Sequence, residues 1–294
     1  MKLLMFKSNS DEPKFGALVK ETIIDLNKIA QFGGFAIPTD LHEALKQSLL
    51  PEVQKVIDYA KDNWKKIPED MFWKENQIHW LPPISFPEKI ICVGHNYKHH
   101  ILEMNRDMPS HPVLFAKMAT TLNGHKQVVP YVDASDSLDF EAELAVIIGK
   151  TGKNIKKKDA LKYVAGYTCF NDVTVRSYQF RTLQWMQGKN FDGHGPIGPM
   201  LITPEEVKNL SASSITLRLN NKIMQESFIG DLIFDVPTLI ETISEIMTLN
   251  PGDVIATGTP SGVGFGRDPK VFMQRGDTVE VEIANIGILK NTIG

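Results

Sequence analysis

Asp139-Phe140-Glu141-Ala142-Glu143-Leu144-Ala145-Val146-Ile147-Ile148 places two carboxylates inside a run that otherwise reads as a buried β-strand. Side chains alternate faces along a strand, so Glu141 and Glu143 point the same way, about 6–7 Å apart. Like charges at that spacing repel and raise each other's pKa, and burying either without a partner is costly. A hard divalent cation relieves both problems, because carboxylate oxygens suit Mg²⁺, Mn²⁺ and Ca²⁺. The alternative is an edge strand with a wet, acidic outer face. The apolar continuation Leu144 to Ile148 argues against it, and a metal-dependent enzyme is the first expectation.

Around this stretch the pattern is strand-rich. Strands are expected at Lys89 to Val93, Pro112 to Ala116, Glu141 to Ile148, Ala165 to Phe170, Thr216 to Leu219, Asp253 to Ala256 and Thr278 to Ile283. Helices are expected at Asn96 to Met104, Lys158 to Tyr163, Thr174 to Leu183 and Val236 to Met247. The last has Pro237 near its start and Asn250-Pro251-Gly252 past its end, which are good start and stop signals. Many strands are joined by Gly-rich turns rather than regular crossover helices. That favours a β-rich α+β fold over a doubly wound parallel sheet.

The first eighty residues differ in character, with short strands near Lys2 to Phe6 and Gly16 to Leu18 and weak amphipathic helices near Leu41 to Gln47 and Val53 to Trp64. Leu81-Pro82-Pro83-Ile84-Ser85-Phe86-Pro87 then reads as a stiff extended segment. The expected division is a small N-terminal α+β domain over 1–80, a proline-rich linker over 81–88 and a metal-binding catalytic domain over 89–294.

Composition narrows the class. The chain has 294 residues, 42% hydrophobic and 23% charged, with a net charge near −3, as expected for an ordinary globular protein. No basic stripe suggests nucleic acid, and no apolar span is long enough to suggest a membrane segment. The apolar run at Met1 to Phe6 is too short for a signal peptide. Cys92 and Cys169 lie in apolar runs without a CxxC pair, which fits packing roles in a reducing compartment. A cytoplasmic protein is expected.

Several other residues could carry chemistry. Asp172 closes the apolar strand Tyr167-Thr168-Cys169-Phe170; it could cap the following helix or supply a third oxygen donor beside Glu141 and Glu143. Arg176 and Gln179 follow at one-turn intervals on the same helical face. Arg176 could hold a substrate carboxylate bidentately or form a plain salt bridge to Asp172. In Gly94-His95-Asn96-Tyr97-Lys98-His99-His100-Ile101-Leu102-Glu103-Met104, His100 and Glu103 are helix neighbours. They could activate water or share a surface hydrogen bond. Zinc at His95 and His99 is disfavoured, since Gly94 has only just begun the helix and no cysteine accompanies them. Lys189, between Gly188 and an apolar turn, could polarise a carbonyl. The turn Gly258 to Gly264 lacks a Walker lysine, but its backbone N–H groups and the Thr259 hydroxyl could bind a carboxylate or enolate oxygen.

Taken together and in order, these elements resemble the fumarylacetoacetate hydrolase family. The matching pieces are Val93-Gly94-His95-Asn96-Tyr97 with His100 and Glu103, Glu141-Ala142-Glu143, Asn171-Asp172-Val173-Thr174 with Arg176, Gly188-Lys189, Phe228, Val236-Pro237 and Ala256 to Gly264. The likeness spans about Phe86 to Gly294, and the first domain looks like the variable N-terminal domain of bacterial two-domain members. The resemblance implies a mixed β-barrel or β-roll catalytic domain, usually in a homodimer. It implies Mg²⁺ or Mn²⁺ on Glu141, Glu143 and Asp172, a water-activating pair His100 and Glu103 on a lid, and Lys189 as the polarising lysine. Arg176, Gln179, Thr259 and Tyr97 fall at substrate-contacting positions. Lys98 and His99 stand where many members carry Ala-Asp, and Ser177 where Asp often follows the arginine, which bears on substrate choice and lid behaviour.

The reaction so implied is hydrolysis of a C–C bond in an acylpyruvate or fumarylacetoacetate-type 2,4-dioxo acid through a metal-stabilised enolate. Oxaloacetate decarboxylation or 2-hydroxy-diene-dioate isomerisation would use the same site. A non-catalytic protein that binds metal and 2-oxo acid is the alternative of another class, disfavoured because a pure binder needs no general base.

Overall fold

The computed structural model describes residues 1–8, 12–98 and 108–294. Among them a twelve-stranded sheet forms the spine. Its path runs Phe72–Trp73, Thr22–Asp25, Lys14–Val19, Lys2–Lys7, Gly195–Ile202, Val164–Asn171, Ala142–Ile148, Val254–Ala256, Ile90–Gly94 and Val113–Lys117. The strands His79–Leu81 and Leu122–Asn123 join it off that path. A five-stranded sheet is ordered Lys222–Phe228, Ser214–Leu219, Thr278–Ile283, Gly287–Ile293 and Val128–Val129. The pair Leu138–Asp139 and Thr174–Val175 stands apart. This is the expected strand-rich α+β fold. Among the described residues no sheet closes into a barrel, and the mixed sheets form a roll.

Ala142–Ile148 is buried at every position, because it lies inside the large sheet between Val164–Asn171 and Val254–Ala256. A strand covered on both faces reads as a continuous apolar run, here broken by Glu143 alone. Its burial removes the wet-edge alternative. Lys2–Lys7 pairs with Gly195–Ile202, so strands of 1–80 and of 89–294 lie in one sheet. Leu3, Leu26, Ile57, Ala145 and Val254 accordingly share one apolar core. A second core lies between the two large sheets and includes Leu144, Val146, Leu217 and Val281.

Several elements differ from expectation. Thr174–Val175 is a strand paired with Leu138–Asp139, and the helix that follows spans only Arg176–Gln179. Asp172 therefore precedes the helix and does not share its face. The β-branched Thr174 and Val175 favour the ladder, which accounts for the shortened helix. Asn96 and Tyr97 are not helical, and Tyr97 forms a bridge with Leu232. Most of the expected Asn96–Met104 helix, with His99, His100 and Glu103, lies outside the described residues. The Gly195–Ile202 strand is not among the expected elements, and it carries two Gly-Pro pairs, residues that favour turns. It runs in mid-sheet with a register shift against Val164–Asn171, the irregularity that lets proline sit there. The helix Leu26–Gly33 was also missed; Asp25 caps its start and Gly34, at φ 74°, ends it.

Candidate active site

The register of two strands builds the centre. Ala142 pairs with Asn171 at the end of the ladder, and the next residues outward are Glu141 and Asp172. The Asp172 N–H donates to the Glu141 carbonyl at 2.9 Å, while the Glu141 N–H donates to Asn171 Oδ1 at 3.0 Å. Two remote carboxylates thus meet at one strand end. Glu143, one step in, points to the same side, and carboxylate oxygens of Glu141, Glu143 and Asp172 lie within 4.8 Å of one another. All three residues are buried.

Cations surround part of this cluster. Lys189 Nζ lies 2.8 Å from Glu141 Oε2 and 2.7 Å from Asp172 Oδ2. Lys117 Nζ lies 2.8 Å from Asp172 Oδ1. Arg176 Nη2 lies 2.7 Å from Glu141 Oε1, and its Nε donates to Asp139 Oδ2 at 2.8 Å. The plain salt bridge to Asp172, one of the two roles open to Arg176, is not formed among the described residues; Arg176 pairs with Asp139 and Glu141, because it starts its own turn of helix beside the Leu138–Asp139 strand. Burial pulls the Lys189 pKa down, but the attraction of Asp172 and Glu141 prevails and raises it. Lys189 is therefore a charged donor.

Glu143 differs. Among the described residues it has no ion pair, and its Oε2 accepts only the Gly258 N–H, at 2.9 Å. Burial, then Asp172 and Glu141, push its pKa well above the usual carboxylate range. A buried carboxylate without a cationic partner, facing two more carboxylates, suits a divalent cation. The donor set therefore fits a hard divalent cation. With Glu143 ionised, as a bound cation would keep it, four carboxylates (Asp139, Glu141, Glu143, Asp172) stand against three cations (Lys117, Arg176, Lys189), a formal charge of −1. A divalent cation with a carboxylate substrate would balance it.

The turn after Val254–Ala256 supplies backbone donors to the site. Its Gly258 N–H serves Glu143, and the N–H groups of Gly264 and Phe265 donate to Asp139 at 2.7 and 2.9 Å. These donors hold the chain's own carboxylates in place. Thr259 faces the pocket, and its hydroxyl accepts from Gln225 Nε2 at 2.8 Å. Gln225 also accepts the Ala142 N–H at 2.9 Å, tying the two sheets together at the site.

The structure brings Glu141, Glu143, Arg176, Gln179, Lys189 and Thr259 to one pocket, with Asp172 buried behind it. Phe115, Phe180, Trp185 and Phe265 wall that pocket. Tyr97 does not line that pocket, although the Glu143 charge reaches its hydroxyl. Its ring packs in the core between the sheets, its hydroxyl has no hydrogen-bond partner among the described residues, and burial raises its pKa. His100 and Glu103 lie outside the described residues. Lys117, Asp139 and Gln225 were missed as site residues. A lysine ending the apolar Val113–Lys117 strand, and an acid two residues before Glu141, were the available signals.

Residues 89–294 match the sequence profile of the Fumarylacetoacetate (FAA) hydrolase C-terminal family. The chain is 39% identical to Oxaloacetate tautomerase YisK of Bacillus subtilis, with 93% of each chain covered. It is 37% identical to mitochondrial Oxaloacetate tautomerase fahd2 of Xenopus laevis, over 100% of this chain and 90% of that one. The solved structure of fumarylacetoacetate hydrolase from psychrophilic Exiguobacterium antarcticum superposes with a TM-score of 0.83 at 32% identity, covering 100% of this chain and 99% of that one. With this strand-end carboxylate cluster, this roll and these likenesses, the chain belongs to the fumarylacetoacetate hydrolase family.

Proposed function

We propose that the protein interconverts enol and keto forms of a small 2-oxo acid, oxaloacetate, with Mg²⁺ or Mn²⁺ held by Glu141, Glu143 and Asp172. The observation that carries this reading is the buried carboxylate cluster flanked by Lys189 and Arg176 inside an aromatic-walled pocket. The bound cation would supply Lewis-acid polarisation of the substrate's oxygens. Lys189 Nζ, kept charged by its two carboxylates, donates a hydrogen bond toward the oxygen on which negative charge develops. Arg176 spends Nε on Asp139 and Nη1 on Gln179, so the pair Arg176 and Gln179 presents a rigid face to the substrate carboxylate. The aromatic walls exclude water and strengthen these interactions. The pair His100 and Glu103 moves the proton. Support comes from the two relatives named as oxaloacetate tautomerases, which match most or all of the chain.

C–C hydrolysis of an acylpyruvate is the second reading, favoured by the likeness to fumarylacetoacetate hydrolase from Exiguobacterium antarcticum. There the His100 and Glu103 pair deprotonates an attacking water. One experiment separates the two. Wild type with added Mn²⁺ is followed for loss of the oxaloacetate enol absorbance and for pyruvate release from acylpyruvates, alongside Glu103→Gln. Fast enol loss without acylpyruvate cleavage supports tautomerisation. Acylpyruvate cleavage that falls on the order of 10²–10⁴-fold in Glu103→Gln, without enol turnover in wild type, replaces it with hydrolysis.

A further inference from the structure

Lys117 ends the Val113–Lys117 strand, and its side chain is fully buried. Its Nζ donates to Asp172 Oδ1 at 2.8 Å, to the Val173 carbonyl at 3.4 Å and, in a short contact, to the Lys189 carbonyl. An ammonium has three protons, and all three are spent within the chain. Lys117 therefore has none left for a substrate. The arrangement closes a ring. Lys117 holds one oxygen of Asp172 and the backbone of Lys189, while the Lys189 ammonium returns to the other oxygen of Asp172 at 2.7 Å.

We propose that Lys117 is a positioning residue that orients Asp172 toward the divalent cation and sets Lys189 at a fixed place beside it. Lys117 on Oδ1 and Lys189 on Oδ2 together fix the rotation of the Asp172 carboxylate, and each oxygen keeps a second lone pair. The backbone contact stops Lys189 from drifting along its short helix, Met186–Lys189. Cation binding and enolate stabilisation are thus tuned by one side chain that touches neither cation nor substrate. This inference rests on the cation site proposed above.

Charge and geometry predict opposite outcomes, which makes the idea testable. A lysine acting by charge alone would repel a divalent cation, so removing it would tighten binding. A lysine acting by position would weaken binding when removed. Mn²⁺ titration calorimetry on wild type, Lys117→Met and Lys117→Gln decides between them. The expected result is Mn²⁺ affinity lowered 10–100-fold in Lys117→Met, the usual effect of losing a group that orients a metal ligand. Lys117→Gln, which keeps an N–H donor, should fall between it and wild type. At saturating Mn²⁺, kcat should drop while KM stays near the wild-type value. Equal or tighter Mn²⁺ binding in a folded Lys117→Met overturns the inference and leaves the cation site standing. Failure of both variants to fold overturns it in favour of a purely structural lysine. Absence of Mn²⁺ binding in wild type overturns the cation site and this inference with it.

Discussion

Asp139 accepts the Nε–H of Arg176 at 2.8 Å with the same oxygen that takes the Phe265 N–H, while its other oxygen takes the Gly264 N–H. One buried carboxylate therefore fixes the arginine and the loop carrying the Phe265 wall. Asp139→Ala strips Arg176 of its Nε partner and leaves two loop N–H groups unpaired. Losing one partner of a buried ion pair costs about 3–5 kcal/mol. A large drop in Tm is expected, with weaker binding of oxalate in the presence of Mn²⁺. Unchanged melting and oxalate titrations would show that the loop and arginine are held by other contacts.

Gly264 sits where no side chain fits. A Cβ there would lie 1.8 Å from the Val271 carbonyl oxygen and 2.6 Å from Asp139 Oδ1. Overpacking of this kind costs typically about 1–3 kcal/mol, and a backbone atom cannot swing aside. Gly264→Ala should melt well below wild type and bind oxalate more weakly, since the displaced loop disturbs Asp139. A wild-type Tm for this variant would mean the loop moves freely.

Acid should act through His194. Its Nε2 faces the Pro130 carbonyl at 2.7 Å, its Nδ1 has no hydrogen-bond partner among the described residues, and burial lowers its pKa to about 4. The unfolded chain takes up the proton near pH 6.5 and the folded chain only near pH 4. Stability is thus full above about pH 6.5 and falls as the pH drops toward about 4, by up to about 3 kcal/mol for this one group. His125, lowered to about 4 by its own burial, adds to the same trend. His194→Gln keeps a donor for Pro130 and should show a smaller loss of Tm between pH 6.5 and 4. Identical slopes for wild type and variant would assign the acid lability elsewhere.

What the sequence made legible was local. Glu141 and Glu143 declared themselves because strand alternation put both on one side of an apolar run, and Asp172 because it closed another strand. Lys117 and Asp139 stayed hidden because their roles depend on partners distant in the chain, such as Asp172 and Gly264. The helix expected at Thr174 to Leu183 failed for the same reason. The spacing of Arg176 and Gln179 needs only one helical turn, while Thr174 and Val175 were claimed by a strand from elsewhere. Gly195–Ile202 gave no strand signal, since its glycines and prolines favour turns and only Lys2–Lys7 and Val164–Asn171 on either side hold it in the sheet.

The claim that Glu141, Glu143 and Asp172 hold a divalent cation is met most directly by calorimetric titration of Mn²⁺ into wild type and Glu143→Gln. Glu143 is the member of the cluster without an ion pair among the described residues, and burial with two like charges already strains its ionised form. Glu143→Gln should therefore keep its fold and melt no lower than metal-free wild type. One Mn²⁺ site is expected in wild type, weakened by on the order of a hundredfold or more in the variant, since even groups that merely orient a ligand are worth 10–100-fold. Equal Mn²⁺ affinity in the two proteins would contradict the assignment.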